Sequence, residues 1–402
     1  MTATATAATT RTEYADKSLA FNVNDLRERV RQCSIIIPRK VAGAEYAAVR
    51  ITATDNRVTM FAACTGRQVL ADVRSGAASE DMVLAVNAAD LAAALKTAPK
   101  ASTVTLDVYT DTVTVTTDTA TVTLPLIDWR NIPAEPVTVD AKVYSIAAAD
   151  LIPAIKRVLP MAGAGNSRYV MDGVNFDADH DTGALYLEAT NGRHLAAVRC
   201  EYRTAERGPT VAIMSDDCKA LVKLKTPKCD DVRIVSDDNV AAFTADGVTL
   251  TVLVPAGTFP DAWSVIPEPT TNVVTVSGDV LAAACYQART LAPVNLKADK
   301  RAKMYLDVTD GAVSLVVVGY DIVPEANDRG DVVDMTRERA PVTLALDGAT
   351  YVGDVPHVKL PTTAIGDVVK GCDFVRVYLD TPRRPVQLVG DSLTYVVMPI
   401  SA

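Results

Sequence analysis

The chain has 402 residues, 49% hydrophobic and 22% charged, with a formal net charge of −9. That length exceeds one ordinary core, the apolar fraction excludes a disordered chain, and the acidic balance argues against coating nucleic acid by bulk attraction. No stretch approaches the 18 uninterrupted apolar residues of a membrane span, and the seven cysteines, at 33, 64, 200, 218, 229, 285 and 372, form no CxxC pair. Reduced, mostly buried thiols are expected.

Taken in chain order, residues 1–17 are Thr/Ala-rich with no basic n-region or apolar h-region, which predicts a disordered tail and no signal peptide. Five stretches then share one grammar: FNVNDLRERVRQC (21–33), LAVNAADLAAALK (84–96), YSIAAADLIPAIKR (144–157), VAIMSDDCKALVKLK (211–225) and VTVSGDVLAAACYQAR (274–289). Each is a short strand that reaches a polar junction and continues at helical period, as an N-capped helix would. VKLPTTAIGDVVKG (358–371) is a poorer sixth copy, with Thr caps and Pro361 near the first turn. Between them, alternating stretches such as STVTLDVYTDTVTVTTDTATVTL (102–124) predict antiparallel hairpins. Helices are expected over 25–36, 89–100, 149–160, 215–228, 278–289 and 361–372. Their net charges run from 0 to +2, so the rest of the chain holds the acidic excess. Solvated helix faces carry such lysines and arginines anyway; six helices facing one polyanion would use them.

The chain repeats. TVTLPL, TVLVPA and YVVMPI place prolines at 125, 255 and 399, and the first two are followed by Trp129-Arg-Asn-Ile-Pro133 and Trp263-Ser-Val-Ile-Pro267. Gly66, Gly192 and Gly319 recur at spacings of 126 and 127. Three domains follow, 18–137, 138–270 and 271–402, with Pro-containing linkers near 131–140 and 265–273. Each holds two strand–helix–strands units, an α+β class with helices on one face of antiparallel sheets. The terminal TYVVMPI (394–400) is the last strand of a repeat.

With RYVMDGVNFD and LYLEATNGRHLAAV (168–198), FPDAWSVIP (259–267) and the terminal YVVMPI in order on a three-fold repeat, the chain resembles the bacterial-type DNA polymerase sliding clamps, the β-clamps. The resemblance spans roughly 18–402. It implies a head-to-tail homodimer of three-domain subunits, a ring of antiparallel sheets outside with helices lining the hole around duplex DNA. The implied role is a non-catalytic processivity factor in the cytoplasm, at the nucleoid, with no cofactor and no metal, partnered by DNA polymerase and a clamp loader and by no membrane. By motif match, a groove for short partner peptides would use Met171, Thr190, Gly192, Arg193, His194, Leu195, Pro260, Val265, Val396, Met398 and Pro399. The expected DNA contacts are Arg27, Arg31, Lys96, Lys156, Arg157, Lys219, Lys223 and Lys225 on the helices, with Arg168 beside the Gly-rich loop. Ordinary surface charge explains each of these equally well. The chain departs from the family's T-D-G-H-R-L by reading Thr190-Asn191-Gly192-Arg193-His194-Leu195. It has Ser264 where an arginine is often found and ends in Ser401-Ala402 instead of a more basic tail. These changes imply a preferred peptide that differs from the usual one.

Catalytic readings find little. The three histidines, His180, His194 and His357, have no metal-ligand spacing, and no Walker A loop, G-x-S-x-G elbow or dinucleotide fingerprint occurs. Asp216-Asp217 reads as a helix N-terminus before it reads as a catalytic pair. The alternatives are a DNA-encircling modification enzyme, which needs a polar cluster unique to one domain, and a structural β-rich assembly protein, which needs no basic helices.

Overall fold

In a computed structural model, the described residues are 17–38, 40–55, 57–133, 142–163, 170–179, 183–201, 210–224, 231–237, 239–291, 302–326 and 332–400. Residues 1–16 of the expected tail, Arg168 with most of its Gly-rich loop, Lys225, His180, Cys229, Ser401 and Ala402 fall outside them; Lys17, the last residue expected in the tail, instead opens the first strand.

Side-chain caps start the first two helices, as the Asn junctions predict. Asn22 Oδ1 accepts from the amides of Asn24 (3.0 Å) and Asp25 (3.4 Å) and opens α1 (Val23–Ser34). Asn87 Oδ1 accepts from Ala89 (2.9 Å) and Asp90 (3.2 Å) and opens α2 (Ala88–Leu95). Each cap satisfies amides that the helix leaves unpaired, for about 1 kcal/mol. Val23, Leu26, Val30 and Cys33 form the buried stripe of α1, each aliphatic side chain contributing roughly 1.5–3 kcal/mol by burial.

The described residues fall into two compact units. The first comprises 1–141 with 223–229 and 240–253. Its Thr/Val alternation produces a five-stranded antiparallel sheet in the order 77–78, 17–22, 103–108, 112–116, 121–125. In 112–116 the two valines are buried between half-exposed threonines. Six more strands run in the order 240–245, 248–253, 67–72, 57–64, 48–54, 82–87. The helices α1 and α2 pack on each other. Trp129–Asn131 is a single 3-10 turn that sets Ile132 into a cluster of Ala48, Phe61, Ala63 and Ala85.

The second unit comprises 142–222, 230–239 and 254–402. One antiparallel sheet of nine strands runs 211–214, 173–179, 184–190, 194–201, 393–397, 386–389, 375–378, 273–276, 350–352. The C-terminal strand is therefore internal to a sheet. The residues after it are held too: Met398 N donates to Arg193 O (2.9 Å) and Ile400 N to Lys359 O (2.7 Å). Four helices begin here, α3 (Ala148–Val158), α4 (Ser215–Leu224), α5 (Gly278–Leu291) and α6 (Ile365–Val369). A Cβ at Gly278, the first residue of α5, would meet Val369 O at 2.4 Å and Cys372 O at 2.6 Å, so only glycine fits that approach.

Two expectations need correction. The sixth helix does not span 361–372; Leu360–Pro361 pair as a strand with Lys303–Met304, and α6 has only five residues. Its entry is a γ-turn, with Ala364 at φ 77° and ψ −42° and Ile365 N donating to Thr363 O at 3.0 Å, a strained conformation for a residue with a Cβ. The helix α3 has no side-chain cap, because its entry residue is Ala147. All six described cysteines are buried and free.

Candidate functional site

A groove of about 450 Å³ lies in the second unit, lined by the turn 190–195, the loop 260–265 and the C-terminal strand. Backbone pairing brings the turn and the C-terminal strand together, with His194 opposite Val397 and Leu195 opposite Val396. The turn itself is locally encoded. Asn191 Oδ1 accepts from the amides of Arg193 and His194, both at 3.0 Å, and Thr190 Oγ1 donates to His194 O at 2.8 Å. Gly192 between them has φ +80°, a conformation that favours glycine. Behind the turn, Leu195, Ala262 and Val396 form a buried cluster backed by Phe259 and Ile266. The 3-10 turn Trp263–Val265 matches the turn at Trp129, but here Ile266 is only partly buried and the cavity beside it stays open.

Apolar side chains at the rim are left in water. Val265 is 58% exposed and Met398 44% exposed, although both line the groove. Covering such surface releases about 25 cal/mol per Å² of apolar area, and methionine repacks around differently shaped ligands. Behind the lining, His194 Nδ1 and the buried Tyr395 hydroxyl are 2.6 Å apart, with the rings stacked at 25°. Burial first, and the Arg193 charge second, lower the His194 pKa from its ordinary 6.5. Burial likewise raises that of Tyr395, so both groups are held towards their neutral forms. The groove thus offers apolar pockets and the His194 ring, with an exposed Arg193 at its mouth.

Ten of the eleven sequence-predicted groove residues line this cavity; Pro399 follows Met398 but does not line it. Sequence reasoning omitted Asp261, Ala262 and Pro385. The first two sit inside the FPDAWSVIP motif and were within reach. Pro385 comes from the loop before strand 386–389, which carries no repeated signature.

The predicted DNA-contacting cations separate into two groups. Lys96, Lys156, Lys219 and Lys223 are exposed, Lys219 pairing with Asp216 at 2.9 Å. The arginines are engaged by the fold. Arg27 donates to Leu95 O (2.5 Å) and Ala98 O (2.8 Å), where the end of α2 leaves carbonyls unpaired. Arg31 chelates Glu28 and reaches Lys223 O at 3.2 Å, and Arg157 donates to Lys370 O at 2.9 Å. No cluster of three or more His, Cys, Asp or Glu among the described residues is placed to hold a metal ion. None of the described helices is long and apolar enough to cross a membrane.

No protein-family model and no curated protein sequence matches the chain. Solved structures do. The DNA polymerase sliding clamp of Bacillus subtilis superimposes with a TM-score of 0.81 at 16% identity, covering 96% of this chain and 99% of that one. The sliding clamp (DNA polymerase III subunit beta) of Bartonella birtlesii, solved bound to griselimycin, gives 0.78 at 20% identity, covering 96% and 100%. The DNA polymerase III beta subunit of Thermotoga maritima gives 0.77 at 16% identity with the same coverage. The chain has the sliding-clamp fold over 96% of its length.

Proposed function

We propose, from a fold shared with bacterial sliding clamps over 96% of the chain, that this protein is a DNA polymerase processivity factor. Two subunits would close head to tail into a ring around duplex DNA. Each would contribute three domains, 18–137, 138–270 and 271–402, with sheets outside and helices towards the duplex. Head-to-tail contacts that close by rotation make such a ring and leave no sheet edge exposed. The role is non-catalytic, exercised in the cytoplasm at the nucleoid, with polymerase and clamp loader as partners.

The groove is the tethering site in this reading. It would take a short linear motif with aliphatic or aromatic anchors, set against Leu195, Val265, Val396 and Met398. A fluorescent peptide with such anchors is expected to bind, and Val265→Asp to weaken it at least about tenfold, a loss of about 1.4 kcal/mol. Because Val265 is mostly exposed, the melting temperature should hardly move. Equal affinity of the variant would remove the groove from the account.

For DNA, the exposed Lys96, Lys156, Lys219 and Lys223 are the proposed sequence-independent contacts. Arg27, Arg31 and Arg157 would add positive field while serving the fold, and Arg168 and Lys225 complete the set from outside the described residues. Few and exchangeable phosphate contacts suit sliding, since each one held tightly would brake motion. The direct test is topological. With a clamp loader and ATP, the protein should co-elute with nicked circular duplex in gel filtration and be lost when the circle is linearised. Retention that ignores linearisation would overturn encirclement.

A further inference from the structure

A second cavity of about 490 Å³ shares Pro260, Asp261 and Ala262 with the groove and opens along strands 173–179 and 184–190. It contains a carboxylate that the fold leaves incomplete. Glu188 is only 2% exposed. Asn175, directly opposite on the neighbouring strand, donates to Oε2 at 3.0 Å, whereas Oε1 is buried without a hydrogen-bond partner. A buried acceptor left without a partner is destabilising, more so if charged, so its retention needs a reason.

The surroundings indicate what would complete it. Asp177, its Oδ1 accepting from Thr210 at 2.8 Å, and Asp261 line the same cavity, and none of the lining residues described is a cation. Trp263 lines it too, 43% exposed and set edge-on against Tyr186 at 4.9 Å between ring centroids. The acidic groups are too dispersed to form a metal site among the described residues. A buried acceptor, two further carboxylates and an exposed indole match a flat organic cation. Guanidinium is less strongly hydrated than ammonium, stacks on aromatic rings and presents donors in a fixed fork.

We propose that this cavity is a binding site for an arginine side chain of a partner protein, with Glu188 Oε1 accepting from the guanidinium, Trp263 stacking on it, and Asp177 and Asp261 supplying field. The site adjoins the groove, so that arginine would belong to a segment flanking the anchor motif. Its chemistry does not depend on the DNA reading, and its test needs neither DNA nor polymerase.

The full chain carrying Trp129→Phe leaves Trp263 as its single indole. Titration with N-acetyl-arginine amide should change Trp263 fluorescence saturably, with a Kd of about 1 mM. N-acetyl-citrulline amide, which keeps the shape without the charge, should give no saturation, and N-acetyl-lysine amide should bind at least about fivefold more weakly. Glu188→Gln in the same background should weaken the arginine probe at least about tenfold. A linear response to the arginine probe, equal binding of citrulline or lysine, or unchanged affinity in the Glu188→Gln protein would each overturn the assignment. The probe comparison needs no variant beyond the reporter, so a folding failure of Glu188→Gln leaves the test intact.

Discussion

Glu188 is the residue whose chemistry departs furthest from its type. Burial pushes its pKa from the ordinary 4.5 up to about 7; the Asn175 hydrogen bond and the nearby Trp263 indole oppose the shift only in part, and the Asp177 and Asp261 charges add to it. Between those values the folded chain keeps a proton that the unfolded chain has released. Stability is therefore fully present below about pH 4.5 and declines as pH rises towards 7, by about 3 kcal/mol in total. Glu188→Gln removes the titration. Its thermal midpoint is expected to exceed the parent's at pH 8 and to match it near pH 4.5; parallel profiles would contradict the buried titration. His194 runs the other way, because its lowered pKa costs stability as pH falls below 6.5. Little of this was legible. In LYLEATNGRHL a glutamate reads as a solvent-facing position, yet both faces of strand 184–190 are covered at Leu187, Glu188 and Ala189. Its aromatic neighbour Trp263 lies 75 positions further on. The turn beside it was legible, because Thr190, Asn191 and Gly192 close it with their own side chains and backbone.

At the scale of elements, local grammar predicted type better than extent. The polar junctions at Asn22 and Asn87 cap real helices, and the Thr/Val run 102–124 forms the expected meander. Where the junction is weak, the element shrinks. The stretch 361–372 has no side-chain cap in the structure, enters through a strained γ-turn at Ala364, and yields five helical residues. Periodicity alone could not show this, since Ile365, Val368 and Val369 satisfy a helical stripe whether the helix runs five residues or twelve. Ala364→Gly should relieve the turn, because glycine adopts positive φ without a Cβ clash. A gain of about 1 kcal/mol is expected, read as a raised melting temperature by calorimetry; a loss would mean the Ala364 methyl contributes packing that outweighs the strain. Long-range pairing also separates the copies. Gly66 and Gly192 turn tight hairpins at positive φ, whereas Gly319 joins strands that lie in different sheets.

For the whole molecule, the repeat carried most of the information. Recurring Pro, Trp-x-x-Ile-Pro and Gly positions carry the proposed three-domain reading, and few residues at such positions suffice for it because they fall at turns and strand ends. The fold is shared with the solved clamps at only 16–20% identity. Ten groove residues were legible since they fall in three short motifs that the sheet brings together; Pro385 was not, since a loop without a repeated signature delivers it. The proposed DNA-contacting cations were legible only as charge. Sequence cannot tell an exposed Lys96 from an Arg27 committed to helix carbonyls, because that distinction depends on the neighbouring helix. The central claim is a ring closed by two chains, and light scattering tests it most directly. At micromolar concentration the account predicts a mass near twice the 42.7 kDa of one chain. A mass of one chain at that concentration would contradict the closed two-subunit ring.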